Sequence, residues 1–157
     1  MAVRRINLPD EISATTSTTP PALADPDYTA AFELLLPEPT TRSPEGWARA
    51  VFEDAPTALR WFIRTGWRFP LGFQLGPSGS PAHVLGCRII RADRTTVVLE
   101  QRSPLMTAHN IVFVERSRIV WTTIVRYQHP LARPLWSVSA ALHHQILPYL
   151  LTQAAHT

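Results

Sequence analysis

The stretch PLWSVSAALHHQILPYLLTQAA, residues 134–155, follows an unbroken series of strand-like segments and reads as one long C-terminal helix. Pro134 suits a first helical position, where a missing N–H costs nothing. Leu135, Val138, Leu142, Ile146 and Tyr149 recur at three- and four-residue steps and form one apolar stripe. Trp136, Ala140, His143, Leu147 and Leu151 form a second. A helix that is apolar on two sides must be covered on both, or must line a cavity. Pro148 removes one backbone hydrogen bond and predicts a bend near the final turns.

Upstream of it, HVLGCRIIRA, TTVVLEQR, AHNIVFVER and RIVWTTIVRYQ are rich in Val, Ile and Thr and predict four strands. Asp93-Arg94 and Ser117-Arg118 read as short hairpin turns, and Ser103-Pro104-Leu105-Met106 as a longer break. Connections this short imply an antiparallel meander. Earlier still, YTAAFELLL from Tyr28 to Leu36 predicts a strand ended by prolines. Ser43-Pro44-Glu45 then opens a helix as N-cap, first position and first-turn acid. A second helix is expected from Pro56 through Leu59, Phe62 and Ile63 to Gly66. Residues 67–81 read as a loop. The order is strand, two short helices, at least four strands and a long helix, which is an α+β fold with the helices on one face of an antiparallel sheet.

The 157 residues suit a single domain, long enough to bury roughly 70% of its unfolded surface. All 15 basic side chains are arginine, so catalysis through a lysine Schiff base is excluded. The net charge of +3 is modest and the arginines do not cluster, which argues against a nucleic-acid partner. One cysteine allows no internal disulfide. No run approaches the ~20 apolar residues of a membrane span. Arg4-Arg5 lacks a following apolar segment, so no signal peptide is read and a cytoplasmic location is expected. Residues 1–26, rich in Thr, Ser, Pro and Ala, are expected to form a flexible tail before a domain over 27–157.

The element order, with DYTAAFELLLP, SPEGWARAVFEDAP, HVLGCRII, TTIVRYQHPLARPLW and the His-bearing C-terminal helix, resembles a bacterial branch of the START-like (SRPBCC) superfamily. The resemblance covers roughly residues 27–155. It implies a helix-grip fold, in which a curved antiparallel sheet wraps a long C-terminal helix and encloses an apolar cavity. The NTF2-like cone is the competing fold, but it usually ends on a strand. The superfamily includes lipid carriers, polyketide cyclases and oxygenase domains, so the fold does not fix the function. No two-His-one-carboxylate iron set and no zinc motif is present, so neither a metal nor a cofactor is expected. The chain departs from the superfamily in offering no clear strand between the second helix and His83.

Candidate site residues follow from alternation along the strands. The odd-numbered sets of TTVVLEQR, AHNIVFVER and RIVWTTIVRYQ are assigned to the concave face, and the even sets, with Arg102, Arg116 and Arg126, to solvent. On that assignment His109 is a polar group in the pocket, able to move a proton or orient a carbonyl. The alternative is a strand-end histidine bonded to backbone or water. Tyr127 either directs its hydroxyl into the cavity or forms an aromatic wall. His143, on the stripe of Trp136 and Leu147, either packs or acts as an acid or base. Phe113, Trp121, Thr123, Trp136 and Leu142 are the expected ligand-binding residues. Glu100 and Arg102 share a face expected to be solvated, and Cys87 reads as a buried inert thiol.

Three functions fit these residues. One is binding of an apolar or aromatic small molecule, lipid- or polyketide-like, in a cavity of about 300 Å³ or more. The second is a cofactor-free cyclase or dehydratase in which His109, Tyr127 or His143 moves a proton. The third is an interaction module whose partner is another protein or a second copy, as a homodimer.

Overall fold

In a computed structural model, which describes residues 2–8, 26–77 and 79–157, the β-rich segments join into one seven-stranded antiparallel sheet. Its strands are β1 (Val3–Ile6), β2 (Tyr28–Leu35), β3 (His83–Val84), β4 (Cys87–Ala92), β5 (Thr96–Arg102), β6 (Met106–Glu115) and β7 (Arg118–Tyr127). Their spatial order is β1-β2-β7-β6-β5-β4-β3. The helices are α1 (Pro44–Phe52), α2 (Thr57–Arg68) and α3 (Ala132–Ala155). This is the expected α+β arrangement, helix-grip-like, with the long C-terminal helix packed across the sheet.

Local chemistry sets the boundaries. Ser43 caps α1, its Oγ accepting from the Gly46 N–H, and Pro44 occupies the first helical position. α2 starts one residue past Pro56 and continues beyond Gly66 to Arg68. α3 begins two residues before Pro134, which stays within the first turn, where no backbone N–H is needed. The helix continues through Pro148 to Ala155.

Three expectations are corrected. The first residues are not a tail: Val3–Ile6 pairs with β2, and Glu33 clamps the pairing through Arg4 and Arg118. The remainder of the expected tail, residues 9–25, lies outside the described residues. HVLGCRIIRA is not one strand but a hairpin, β3 and β4, with Val84 opposite Cys87. Its two-residue turn has both φ values positive, 48° at Leu85 and 89° at Gly86, as a type I′ turn requires. A leucine in that position disguises the turn. Finally, the first apolar stripe of α3 is covered only in part, while the second is mostly buried. Leu135 and Ile146 are half-buried against the core, and Leu142 and Ile146 stand at the cavity. Trp136, Ala140, Leu147 and Leu151 are buried, whereas Val138, Leu142 and Tyr149 remain exposed.

The main core lies between the sheet, α1 and α3, with Trp121 and Val112 of the sheet beneath Val51 and Phe52. Phe52 meets Trp121 edge-on, ring centroids 5.0 Å apart. Cys87 is fully buried in this core, and burial pushes its thiol pKa up, leaving it an inert packing group.

Candidate functional site

Antiparallel pairing decides which residues reach the site. Leu99, Asn110 and Thr123 stand in one row across β5, β6 and β7, and β2 continues it with Ala30. Residues directly opposite share a face, so odd positions of β5 and β7 go with even positions of β6. The expected face assignment is thus right for β5 and β7 and inverted for β6.

That inversion moves His109 and Phe113 to the other side of the sheet. His109 is buried there beside Glu100, Nε2 to Oε2 3.0 Å, and Arg102 engages the other carboxylate oxygen at 2.8 Å. Burial lowers the His109 pKa despite the adjacent carboxylate, while Arg102 and His109 together hold Glu100 below the usual carboxylate range against its burial. Glu100 is therefore not a solvated surface residue: its carboxylate is buried, bonded on one side to the buried His109 and on the other to the exposed guanidinium of Arg102.

On the inner face a cavity of about 120 Å³ opens between the sheet, α2 and α3. Phe52 and Trp67 form part of its apolar wall, Leu147 and Leu150 come from α3, and Phe62 and Leu142, both partly exposed, stand on α2 and α3. Among the described residues no Asp, Glu or Arg lines it. The volume is below the expected 300 Å³ and near the roughly 150 Å³ that holds a single benzene ring.

Polar groups on its floor form one chain. Trp121 Nε1–H donates to Asn110 Oδ1 at 3.1 Å, and the Thr123 hydroxyl donates to the same oxygen at 2.8 Å. The Thr123 proton is thereby used, so His143 Nε2, 3.1 Å away, donates to Thr123 Oγ1. This assigns the Nε2–H tautomer to neutral His143 and leaves Nδ1 as a lone-pair acceptor. Burial, aided by His144, lowers the His143 pKa to about 4. His144 sits at the helix edge, with its Nε2 at the Tyr28 hydroxyl.

Of the residues singled out in the sequence, Thr123, Trp136, Leu142 and His143 come together at the cavity. Trp121 lies beneath it and acts through Asn110. Tyr127 is on the inner face, but under the start of α3 with Arg133 over its ring, and does not line the cavity. His109 and Phe113 are on the far face for the reason given. Asn110 and Gln101 are the site residues that sequence reading misses or leaves unremarked. The hairpin turn, Arg116-Ser117 rather than the expected Ser117-Arg118, holds the missing signal. With Glu115 opposite Arg118, paired numbers sum to an odd value, so β6 must take the parity opposite to β7.

Among the described residues no three His, Cys, Asp or Glu side chains are grouped to hold a metal, and no helix is long and apolar enough to cross a membrane. Compared with protein-family models, curated proteins and solved structures, the chain finds no match in any of the three.

Proposed function

We propose that this chain is a small-molecule binding protein of START-like type whose ligand occupies the cavity between the sheet, α2 and α3. One observation carries the reading. Among the described residues five buried side-chain polar atoms lack a partner, and three of them, Gln101 Nε2, Trp136 Nε1 and His143 Nδ1, belong to cavity-lining residues. Each such atom costs about 1–3 kcal/mol, and native folds keep them few. Their concentration around one void supports an occupant that supplies the missing polar contacts. The volume favours an apolar or aromatic molecule of one ring; a whole lipid or polyketide needs α2 and α3 to part. The cyclase or dehydratase alternative rests on His143 alone, since His109 and Tyr127 do not reach the cavity.

Native mass spectrometry of freshly purified protein, followed by an NMR titration with ring-sized aromatic fragments, tests the proposal. A retained small molecule or saturable shifts at Asn110, Thr123 and His143 are expected. No retained mass together with no saturable shift would remove it.

A second reading, an interaction module joining a partner or a second copy, is favoured by a different feature. Trp61, Phe62 and Phe69 are exposed along one side of α2 and its C-cap, Trp61 at 69% and Phe69 at 77%. If this face joins two copies, sedimentation velocity will show a dimer that Trp61→Ser with Phe69→Ser dissolves. A wild-type monomer at all concentrations removes the homodimer.

A further inference from the structure

The floor of the cavity also specifies the chemistry of its occupant, an inference that rests on the binding function proposed above. Asn110 is buried and its amide orientation is fixed, because Oδ1 receives two donors, Trp121 Nε1–H and the Thr123 hydroxyl. A flipped amide would set its N–H groups against the Trp121 N–H, which can only donate. The Nδ2 group is therefore held in one place, and it has no hydrogen bond among the described residues. It is a positioned donor in a cavity wall that is otherwise mostly carbon.

We infer that the cavity selects an uncharged, single-ring molecule carrying one hydrogen-bond-accepting oxygen, a ketone, aldehyde or ether, which accepts from Asn110 Nδ2–H. Three observations converge on it. The volume of about 120 Å³, near the roughly 150 Å³ that takes benzene, leaves room for no more than one ring-sized molecule. No arginine lines the wall, so a carboxylate or phosphate would be desolvated without a counter-charge. His143, the one titratable wall residue among the described residues, is neutral at pH 7 and does not supply that charge. Among the described residues no carboxylate lines the wall either, so an ammonium ligand lacks a partner by the same argument. Gln101 Nε2 and Trp136 Nε1 are further open donors among the lining residues and His143 Nδ1 an open acceptor, but the donor on Asn110 is the one held in place from behind, and a neutral acceptor oxygen answers it.

The test uses the full-length chain and three probes of similar size. These are acetophenone, α-methylstyrene, in which a methylene replaces the carbonyl oxygen, and benzoate. Dissociation constants come from NMR titration at pH 7. Acetophenone is expected to bind about three- to tenfold more tightly than α-methylstyrene, the difference one neutral hydrogen bond makes. Benzoate is expected to bind at least tenfold more weakly than acetophenone. Asn110→Leu should erase the preference for acetophenone while α-methylstyrene still binds; should that variant fail to fold, the wild-type ratios decide alone. Equal or tighter binding of α-methylstyrene overturns the acceptor assignment and leaves the cavity as a binding site. Tightest binding of benzoate overturns neutrality. Binding by none of the three removes the binding function itself, and this inference with it.

Discussion

Asn110 and Thr123 stand opposite each other on β6 and β7, and the threonine hydroxyl donates to the asparagine oxygen over 2.8 Å. The pair ties α3 to the sheet. Trp121, in the core under α1, holds Asn110 from one side, and His143 reaches Thr123 from α3 on the other. A buried polar chain of this kind stabilises only while every link is made, since each broken link leaves a desolvated group behind.

Thr123→Val tests the central link. Valine keeps the shape but removes the donor to Asn110 and the acceptor for His143 Nε2. The expected loss is about 1–3 kcal/mol, read from urea unfolding at pH 7. Thr123→Ser keeps the hydroxyl and should recover most of it. Equal losses in both variants would assign the effect to packing.

Most of the fold was legible because local chemistry and tertiary structure agree. Ser43-Pro44 caps and opens α1 as read, and the Val-, Ile- and Thr-rich runs are strands. The failures have physical causes. His109, Ile111 and Phe113 are apolar enough to pass for a core face, yet so are Ala108, Val112 and Val114. β6 is buried on both faces, and alternation cannot choose between two buried faces. Asn110 falls in the even-numbered set that alternation assigns to solvent, and only pairing with β7 brings it to the cavity. Likewise Val3–Ile6 carries too little pattern in four residues to be seen, because Glu33, thirty residues on, is what holds it.

Glu33→Gln is expected to loosen that edge of the sheet. The buried carboxylate accepts from Arg4 at 2.7 Å and from Arg118 at 2.6 Å, and these partners hold its pKa below the usual range. Glutamine keeps the size and loses the charge. A destabilisation of about 1–3 kcal/mol is expected, with faster hydrogen exchange confined to the amides of β1 and β2. The charged-state contribution is present above the unfolded pKa of 4.5 and fades as pH falls through the lower folded value. The gap between wild type and variant should therefore narrow in acid. A gap that is constant with pH would rule out the ionised pair as its source.

Gly86→Ala and Gly79→Ala separate backbone strain from steric contact. Both glycines have positive φ, 89° and 72°. A Cβ on Gly86 would lie 2.9 Å from the Leu75 Cβ, whereas one on Gly79 would meet nothing within 4 Å. The Gly79 variant should lose about 1 kcal/mol from conformation. The Gly86 variant should lose more, because the β3–β4 hairpin must also shift away from Leu75. Equal thermal denaturation midpoints for the two would show that the loop carrying Leu75 yields freely.

His143 should make stability fall as pH drops from about 6.5 toward 4. In the unfolded chain its imidazole takes a proton near 6.5; in the fold, burial postpones that to about 4. Between these values the unfolded state binds more protons, so acid favours unfolding, and stability rises with pH. A gap of that size is worth ~3 kcal/mol across the window. His109 and His144, also lowered by burial, add slopes of the same sign. His143→Gln removes the largest contributor while its amide N–H can still donate to Thr123. Its stability, from chemical unfolding at pH 4, 5, 6 and 7, should vary less than wild type over the same points. Parallel curves would mean that His143 takes up its proton in the fold as readily as in the unfolded chain. The sealed, neutral imidazole beside the cavity would then be the wrong description of this residue.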